Sequence, residues 1–258
     1  MPPLSFELRE RFHLTLLYYI SLRLANRPYA VKGGICLRFF HRSQRLSEDM
    51  DIDVSSQVRQ KTLEDAIDSV IKSQSFNGSL LSRGISRIET RKPKQTETTQ
   101  RWKFTLYSQQ ALPLPTKIEF SRRHIQIPYS TGIPDQELLK TYKMHPFAAR
   151  FYDSNNMCIQ KIQALSSPTR HAVRDLFDLD HLFSSTVTFQ CKFRVKYEDV
   201  EKAAHKVADF STKDFKEQVL PYLSESLESM YADSAAFDNL KRRVEEHLLE
   251  IMCQQPSF

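Results

Sequence analysis

The chain has 258 residues, 40% of them hydrophobic and 26% charged, which suits a soluble globular protein of one large domain or two modest ones. The 17 Phe and 10 Tyr exclude disorder throughout. The longest apolar run, Leu14–Leu22, falls far short of the roughly 20 residues of a membrane span.

The charge balance is mildly basic, with 37 Lys and Arg against 31 Asp and Glu, a formal net of +6. That permits a nucleic-acid partner. Cys36, Cys158, Cys191 and Cys253 form no CxxC pair, which argues against a zinc knuckle. Charged Glu7, Arg9, Glu10 and Arg11 stand where a secretory signal needs an apolar segment. A reducing cytoplasm is the expected compartment, with no membrane association.

In chain order, apolar residues at helical spacing predict a first helix from Phe6 to Ala25, stopped at Asn26-Arg27-Pro28. A short strand, Tyr29–Val31, leads through Gly33-Gly34 into a short helix over Ile35–His41. Met50–Val54 reads as a strand and Thr62–Lys72 as an amphipathic helix. Alternating and β-branched residues predict strands at Ser86–Glu89, Arg101–Tyr107, Leu114–Phe120 and His124–Ile127. From Asp135 the pattern is mostly helical, with helices at Met157–Leu165, His171–Ser184, Tyr197–Ala208, Lys213–Leu220 and Phe237–Cys253. Ser211, with Asp214 three residues on, marks one helix start. The expected fold class is α/β, a mixed α+β sheet followed by a helical C-terminal domain. The boundary is expected near Lys143–Asp153, giving domains 1–145 and 146–258.

Charge follows the same division. Seven basic residues lie between Arg83 and Lys103, opposed only by Glu89 and Glu97. From Pro221 to the end, three basic residues face seven acidic ones.

Chemistry concentrates at two places in the first half. Two of only five glycines, Gly33 and Gly34, sit between a strand and a helix. There the missing Cβ and the helix N–H groups favour an anion, although a plain tight turn gives the same pair. Asp49, Asp51 and Asp53 then alternate along a strand and share one face, while Met50, Ile52 and Val54 share the other. Such carboxylates can serve a pair of divalent ions, and oxygen ligands suit Mg²⁺ or Mn²⁺. The plain alternative is an acidic solvent face. Lys117 and Glu119 share a face of a later strand, and Glu119 can supply a third carboxylate. In the second half, Lys161 has Met157, Cys158, Ala164 and Leu165 as helical neighbours, so it faces inward and needs an anion unless it snorkels to water. Trp102, between Arg101 and Lys103, is expected to pack across strands rather than stack a base. His171 and Asp175 are four residues apart, a spacing better suited to a structural hydrogen bond than to catalysis.

Taken in order, these segments resemble the AbiEii/AbiGii-type nucleotidyltransferase toxins of the DNA polymerase β-like superfamily. Lys32-Gly33-Gly34, followed after fourteen residues by Asp49-Met50-Asp51 within Arg45-x-Ser47-Glu48-Asp49, resembles the first motif. Lys117-Ile118-Glu119 resembles the second, Gln160-Lys161 to Leu165 the third, and Arg174-Asp175 to Leu179 the fourth. Ile35 replaces the more usual small Thr after the glycines, and Gln160 the more usual Glu before the lysine.

The resemblance implies a nucleotidyltransferase-type N-terminal domain and a helical domain closing over its cleft. It implies transfer of a nucleoside monophosphate from an NTP to an acceptor hydroxyl, with Mg²⁺ or Mn²⁺ on Asp49, Asp51 and Glu119. Glu119 is also the expected base. Lys32, Gly33, Gly34, Arg45 and Ser47 are expected around the nucleotide phosphates. Lys161 would meet the triphosphate, steadied by Asp175 or Asp178. The expected partners are the NTP, the 3′ end of a tRNA or another RNA, and a cognate antitoxin of a toxin–antitoxin or phage-defence system. Alternatives are a small-molecule or protein nucleotidyltransferase and a non-catalytic binding module.

Overall fold

A computed structural model describes residues 4–185, 195–231 and 233–254. They divide into two compact units. The first comprises the described residues up to Arg42 with Leu46–Tyr152, and the second Ser43–Arg45 with the described residues from Asp153 on.

The first unit is built on a seven-stranded mixed sheet. Its elements are α1 (Leu4–Arg23), β1 (Tyr29–Lys32), α2 (Gly33–Phe40), β2 (Asp49–Val54), α3 (Gln60–Lys72) and α4 (Gln74–Leu81). There follow β3 (Arg87–Gln95), β4 (Thr99–Tyr107), β5 (Leu114–Ser121), β6 (Ser130–Gly132), α5 (Gln136–Thr141) and β7 (Ala149–Phe151). The strand order is β3-β4-β5-β2-β1-β7-β6. β2 runs parallel to β5 and antiparallel to β1, and this junction of directions carries the acidic strand.

Helix α1 is the spine of this unit. Phe12, Leu14, Leu16, Leu17 and Ile20 are fully buried, so apolar residues cover more than one stripe. The Glu10 carboxylate buried with them is paired: it accepts from Arg38 and from the Tyr142 hydroxyl, each at 2.5 Å. Such pairing is what a buried charge requires.

The second unit is helical among the described residues. It contains α6 (Ser154–Ser166), α7 (Val173–Ser184), α8 (Tyr197–Val207), α9 (Thr212–Gln218), a short 3₁₀ turn, α10 (Glu225–Met230) and α11 (Ser234–Cys253). α6 packs on α7 and α8, and α11 packs on the same two helices. Met157, Ile162, Leu176, Leu179, Val244 and Leu248 are buried in this core. The expected helix start at Ser211 is a full capping box, in which the Ser211 side chain accepts from the Asp214 N–H and Asp214 reaches back.

Two kinds of local expectation fail. His124–Ile127 is not a strand; the carbonyls of His124 and Ile125 accept instead from the Ser56 N–H and the Ser55 hydroxyl. Five short elements, α4, α5, α10, β6 and β7, had no sequence signal strong enough to predict them. α4 holds Ser, Asn and Gly, poor helix formers. It forms because Phe76 and Leu80, one turn apart, are buried and Ser73 caps its first turn. Cys36 and Cys158 are buried free thiols and Cys253 is an exposed one; Cys191 lies outside the described residues. No helix among the described residues is long and apolar enough to cross a membrane.

Candidate active site

The strand register assembles the site in the first unit. Asp49 and Asp51 on β2 lie directly beside Lys117 and Glu119 on β5. Lys117 and Glu119 are in turn opposite Lys103 and Arg101 on β4. Those two face Arg91 and Lys94 on β3, across a bulge. Directly paired residues share a sheet face. One row therefore reads Asp49, Lys117, Lys103, Arg91, and the next Asp51, Glu119, Arg101, Lys94. Each row passes from carboxylate to cation as it crosses the sheet.

The expected ligands are on one face, but they are not equivalent. Lys117 Nζ lies 2.9 Å from Asp49 Oδ2. Arg101 grips Glu119 Oε2 with Nε at 2.6 Å and Nη2 at 2.5 Å. Asp53 is buried and holds Lys32 Nζ at 2.5 Å, while its other oxygen accepts from the Tyr152 hydroxyl at 2.8 Å. Burial, with Asp53 alongside, pushes the Tyr152 phenol above its usual range. The Asp51 carboxylate makes no hydrogen bond or ion pair among the described residues. Burial pushes its carboxyl up; Lys32 works against the shift, while Glu119 and Asp49 add to it.

Gly33 is required where it stands. Its φ is +69°, in the left-handed region, and a Cβ there would lie 3.2 Å from Asp51 Oδ2. The helix that follows has no side-chain cap at Lys32. Gly33→Ala is expected to cost about 1–2 kcal/mol from the backbone conformation alone, read by chemical denaturation.

The donor set fits hard divalent cations: only oxygens, with Asp51 unpaired and Asp49 two residues away on the same face. Glu119 would have to exchange Arg101 for a metal. Among the described residues no three His, Cys, Asp or Glu side chains are already gathered around one point.

A cavity of about 440 Å³ runs beside the first row, lined by Arg9, Asp49, Glu89, Arg91, Lys103 and Lys117. Arg91, Lys94 and Lys103 are exposed. Lys92 points to the other side and binds Glu64 and Asp68 of α3, at 2.6 and 2.9 Å. Arg83 donates to the Ser79 carbonyl, and Arg87 sits over the Tyr107 ring. The run of seven basic residues is thus split, and only Arg91, Lys94, Arg101 and Lys103 fall on the two rows. Trp102 is fully buried on the opposite face, edge-on to Phe120, with its N–H given to Asp68.

Ser47 lies just before β2, and its hydroxyl donates to the Asp49 carbonyl at 3.2 Å, as a turn-capping serine does. Gly34 is the second residue of α2.

The other expected residues meet in the second unit. Arg45 makes a two-pronged contact with Asp178, 2.8 Å for each nitrogen. Lys161 Nζ sits between Asp175 and Asp178, at 2.7 and 2.6 Å, and Arg170 takes the other Asp175 oxygen at 2.6 Å. Arg45, Lys161, Asp175 and Asp178 are all buried. Burial alone would raise Asp178, but Arg45 and Lys161 overcome it and hold the carboxyl well below the usual range. The inward-facing lysine therefore has carboxylate partners of its own. His171 does not pair with Asp175; it faces Asp214 at 3.5 Å. Asp180 of α7 accepts a two-pronged contact from Arg243 of α11, at 2.8 Å for each nitrogen.

Sequence reading missed the partners Arg101 and Tyr152. Arg101 was legible from alternation, since buried Trp102 and Phe104 place Arg101 and Lys103 on the other face. Tyr152 left no local signal, because it is 99 residues from the Asp53 it touches.

A search of the curated proteins found no match. Among solved structures, the chain resembles MenT4, a nucleotidyltransferase toxin from Mycobacterium tuberculosis, with a TM-score of 0.59 and 16% identity over 96% of this chain and 84% of that one. JHP933 from Helicobacter pylori matches with a TM-score of 0.56 and 16% identity, covering 97% and 96%. A putative nucleotidyltransferase from H. pylori gives 0.54 and 18%, covering 93% and 96%. These likenesses establish the fold. The family described as nucleotidyl transferase AbiEii toxin, type IV toxin–antitoxin system, matches residues 15–247. With nine-tenths of its length matched, this chain belongs to the AbiEii family of nucleotidyltransferase toxins.

Proposed function

We propose that this toxin transfers a nucleoside monophosphate from an NTP to a hydroxyl at the 3′ end of a tRNA or a related RNA. The carrying observation is the row Asp51–Glu119 with Asp49 beside it, set against a left-handed glycine at an uncapped helix start. Asp49, Asp51 and, once released from Arg101, Glu119 would hold Mg²⁺ or Mn²⁺. When bound, such ions activate the acceptor oxygen and neutralise the leaving pyrophosphate. Gly33, Gly34 and the first turn of α2 would receive phosphate oxygens, with Lys32 nearby and Ser47 at the edge. Glu119 is the base we assign to the acceptor hydroxyl. Lys161, Asp175, Asp178 and Arg45 are assigned to nucleotide handling by the helical unit, with Lys161 as the cation offered to phosphate. The proposed setting is cytoplasmic, with a cognate antitoxin as partner.

An RNA acceptor is supported by the cationic ends of the two rows. Phosphate contacts make binding fall steeply with salt. Reversing Arg91 and Lys103 together to Glu is expected to weaken tRNA binding by about tenfold or more and to lower the salt slope by about 2. NTP affinity should not change. Lys92→Glu, on the other face, serves as the control. Incubating the protein and Mg²⁺ with each labelled NTP and total tRNA tests the reaction itself. Label on a protein or a small molecule with no label on RNA replaces the acceptor, and no transfer to any acceptor overturns the reading.

A further inference from the structure

On the sheet face opposite the carboxylates, a buried polar chain runs from α1 to the start of β2. His13 is fully buried, with Nε2 2.8 Å from the Thr116 hydroxyl. That hydroxyl donates to the Glu48 carbonyl at 2.6 Å. A threonine hydroxyl has one proton, and it is used on Glu48. Nε2 must therefore carry the proton that reaches Thr116, and Nδ1 is bare. Nδ1 has no hydrogen-bond partner among the described residues. Burial, reinforced by Arg9, lowers this histidine to about 4 despite Asp49 nearby, so it is neutral at physiological pH.

One turn earlier on α1, Arg9 donates to the Pro115 carbonyl at 3.0 Å and pairs with the Glu48 carboxylate at 3.2 Å. Helix α1 thus ties down residues 48 and 115–116. Each immediately precedes the register pair Asp49–Lys117. A buried histidine with one nitrogen unsatisfied costs stability, and an apolar residue would fill the site more cheaply.

We infer that His13 is a positioning residue for nucleotidyl transfer: through Thr116 it fixes the Glu48 carbonyl and so the direction in which the Asp49 carboxylate leaves the strand. This rests on Asp49 being a metal ligand, as proposed above. Residues that orient metal ligands typically contribute 10–100-fold to metal affinity or rate.

The test measures kcat, the KM for NTP and the Mg²⁺ concentration at half-maximal rate, well below each variant's melting temperature. His13→Phe and Thr116→Val should each lower kcat by roughly 10–100-fold and raise the Mg²⁺ requirement, with little change in KM. His13→Gln should restore much of the loss, because its amide N–H reaches the place of Nε2. The double variant should be little worse than either single one, since both break one chain. Thr116→Val keeps the volume of the side chain and carries the test if His13→Phe does not fold. Variants that lose thermal stability but keep wild-type kcat and Mg²⁺ dependence overturn the inference. If Asp49→Ala is inactive while Thr116→Val is fully active, only this inference fails. If Asp49→Ala is active, the metal assignment beneath it fails.

Discussion

Asp51→Asn is expected to remove nucleotidyl transfer without weakening the fold. The carboxylate has no partner among the described residues and lies between Gly33 and Glu119. A residue that merely orients a metal ligand contributes 10–100-fold, so loss of a ligand should exceed about 100-fold in kcat. The stability effect has the opposite sign. Burial, with Glu119 and Asp49 adding to it, raises the folded-state pKa of Asp51 above its unfolded value. For an acid shifted this way, stability falls as pH rises from the unfolded pKa through the folded one. Once ionised, the buried carboxylate opposes folding, and the neutral amide relieves that cost. Thermal melting without added metal should show the variant at or above the wild-type midpoint. Near wild-type turnover at saturating Mg²⁺ would remove Asp51 from the site. A large fall in melting temperature would show that it supports the fold.

Asp178→Ala should have the largest effect on stability. The side chain is fully buried and accepts from both Arg45 and Lys161. Its removal leaves the Arg45 guanidinium without the carboxylate it grips. Breaking a buried ion pair from one side costs about 3–5 kcal/mol. In a protein of this size that lowers the melting temperature by on the order of 10 °C. The pH dependence follows from direction. Despite burial, Arg45 and Lys161 hold Asp178 below its unfolded pKa, so its contribution is present above about pH 4. It is lost as pH falls through the depressed folded value. The wild type should therefore lose more stability below about pH 4 than Asp178→Ala does.

Lys161→Met separates the two parts this cluster could play. It leaves Arg45 on Asp178 and Arg170 on Asp175, so its stability cost should be smaller. If the lysine also meets the triphosphate, calorimetry will show weaker NTP binding in the folded variant. Unchanged NTP affinity would confine Lys161 to holding α6 and α7 together.

The sequence by itself determined the strands and helices with strong periodicity, the shared face of Asp49, Asp51 and Asp53, and the inward position of Lys161. Those features are local, since a period of two or 3.6 states which residues share a face. It also carried the order of motifs by which the family is identifiable. What lay beyond it were partners. Nothing within β2 places Glu119 beside Asp51, 68 residues away, or gives Glu119 to Arg101; the parallel pairing of β2 with β5 does. Nothing within α7 brings Arg45 to Asp178, 133 residues apart. The run of basic residues from Arg83 to Lys103 read as one patch, yet the pleat and a bulge sent Lys92 to α3 and Arg91 to the carboxylate face. Chain direction, register and packing decide which charges meet. Those are long-range choices that stabilise the protein only once the whole sheet and helical core have formed, so they leave no periodic trace in any short stretch of sequence.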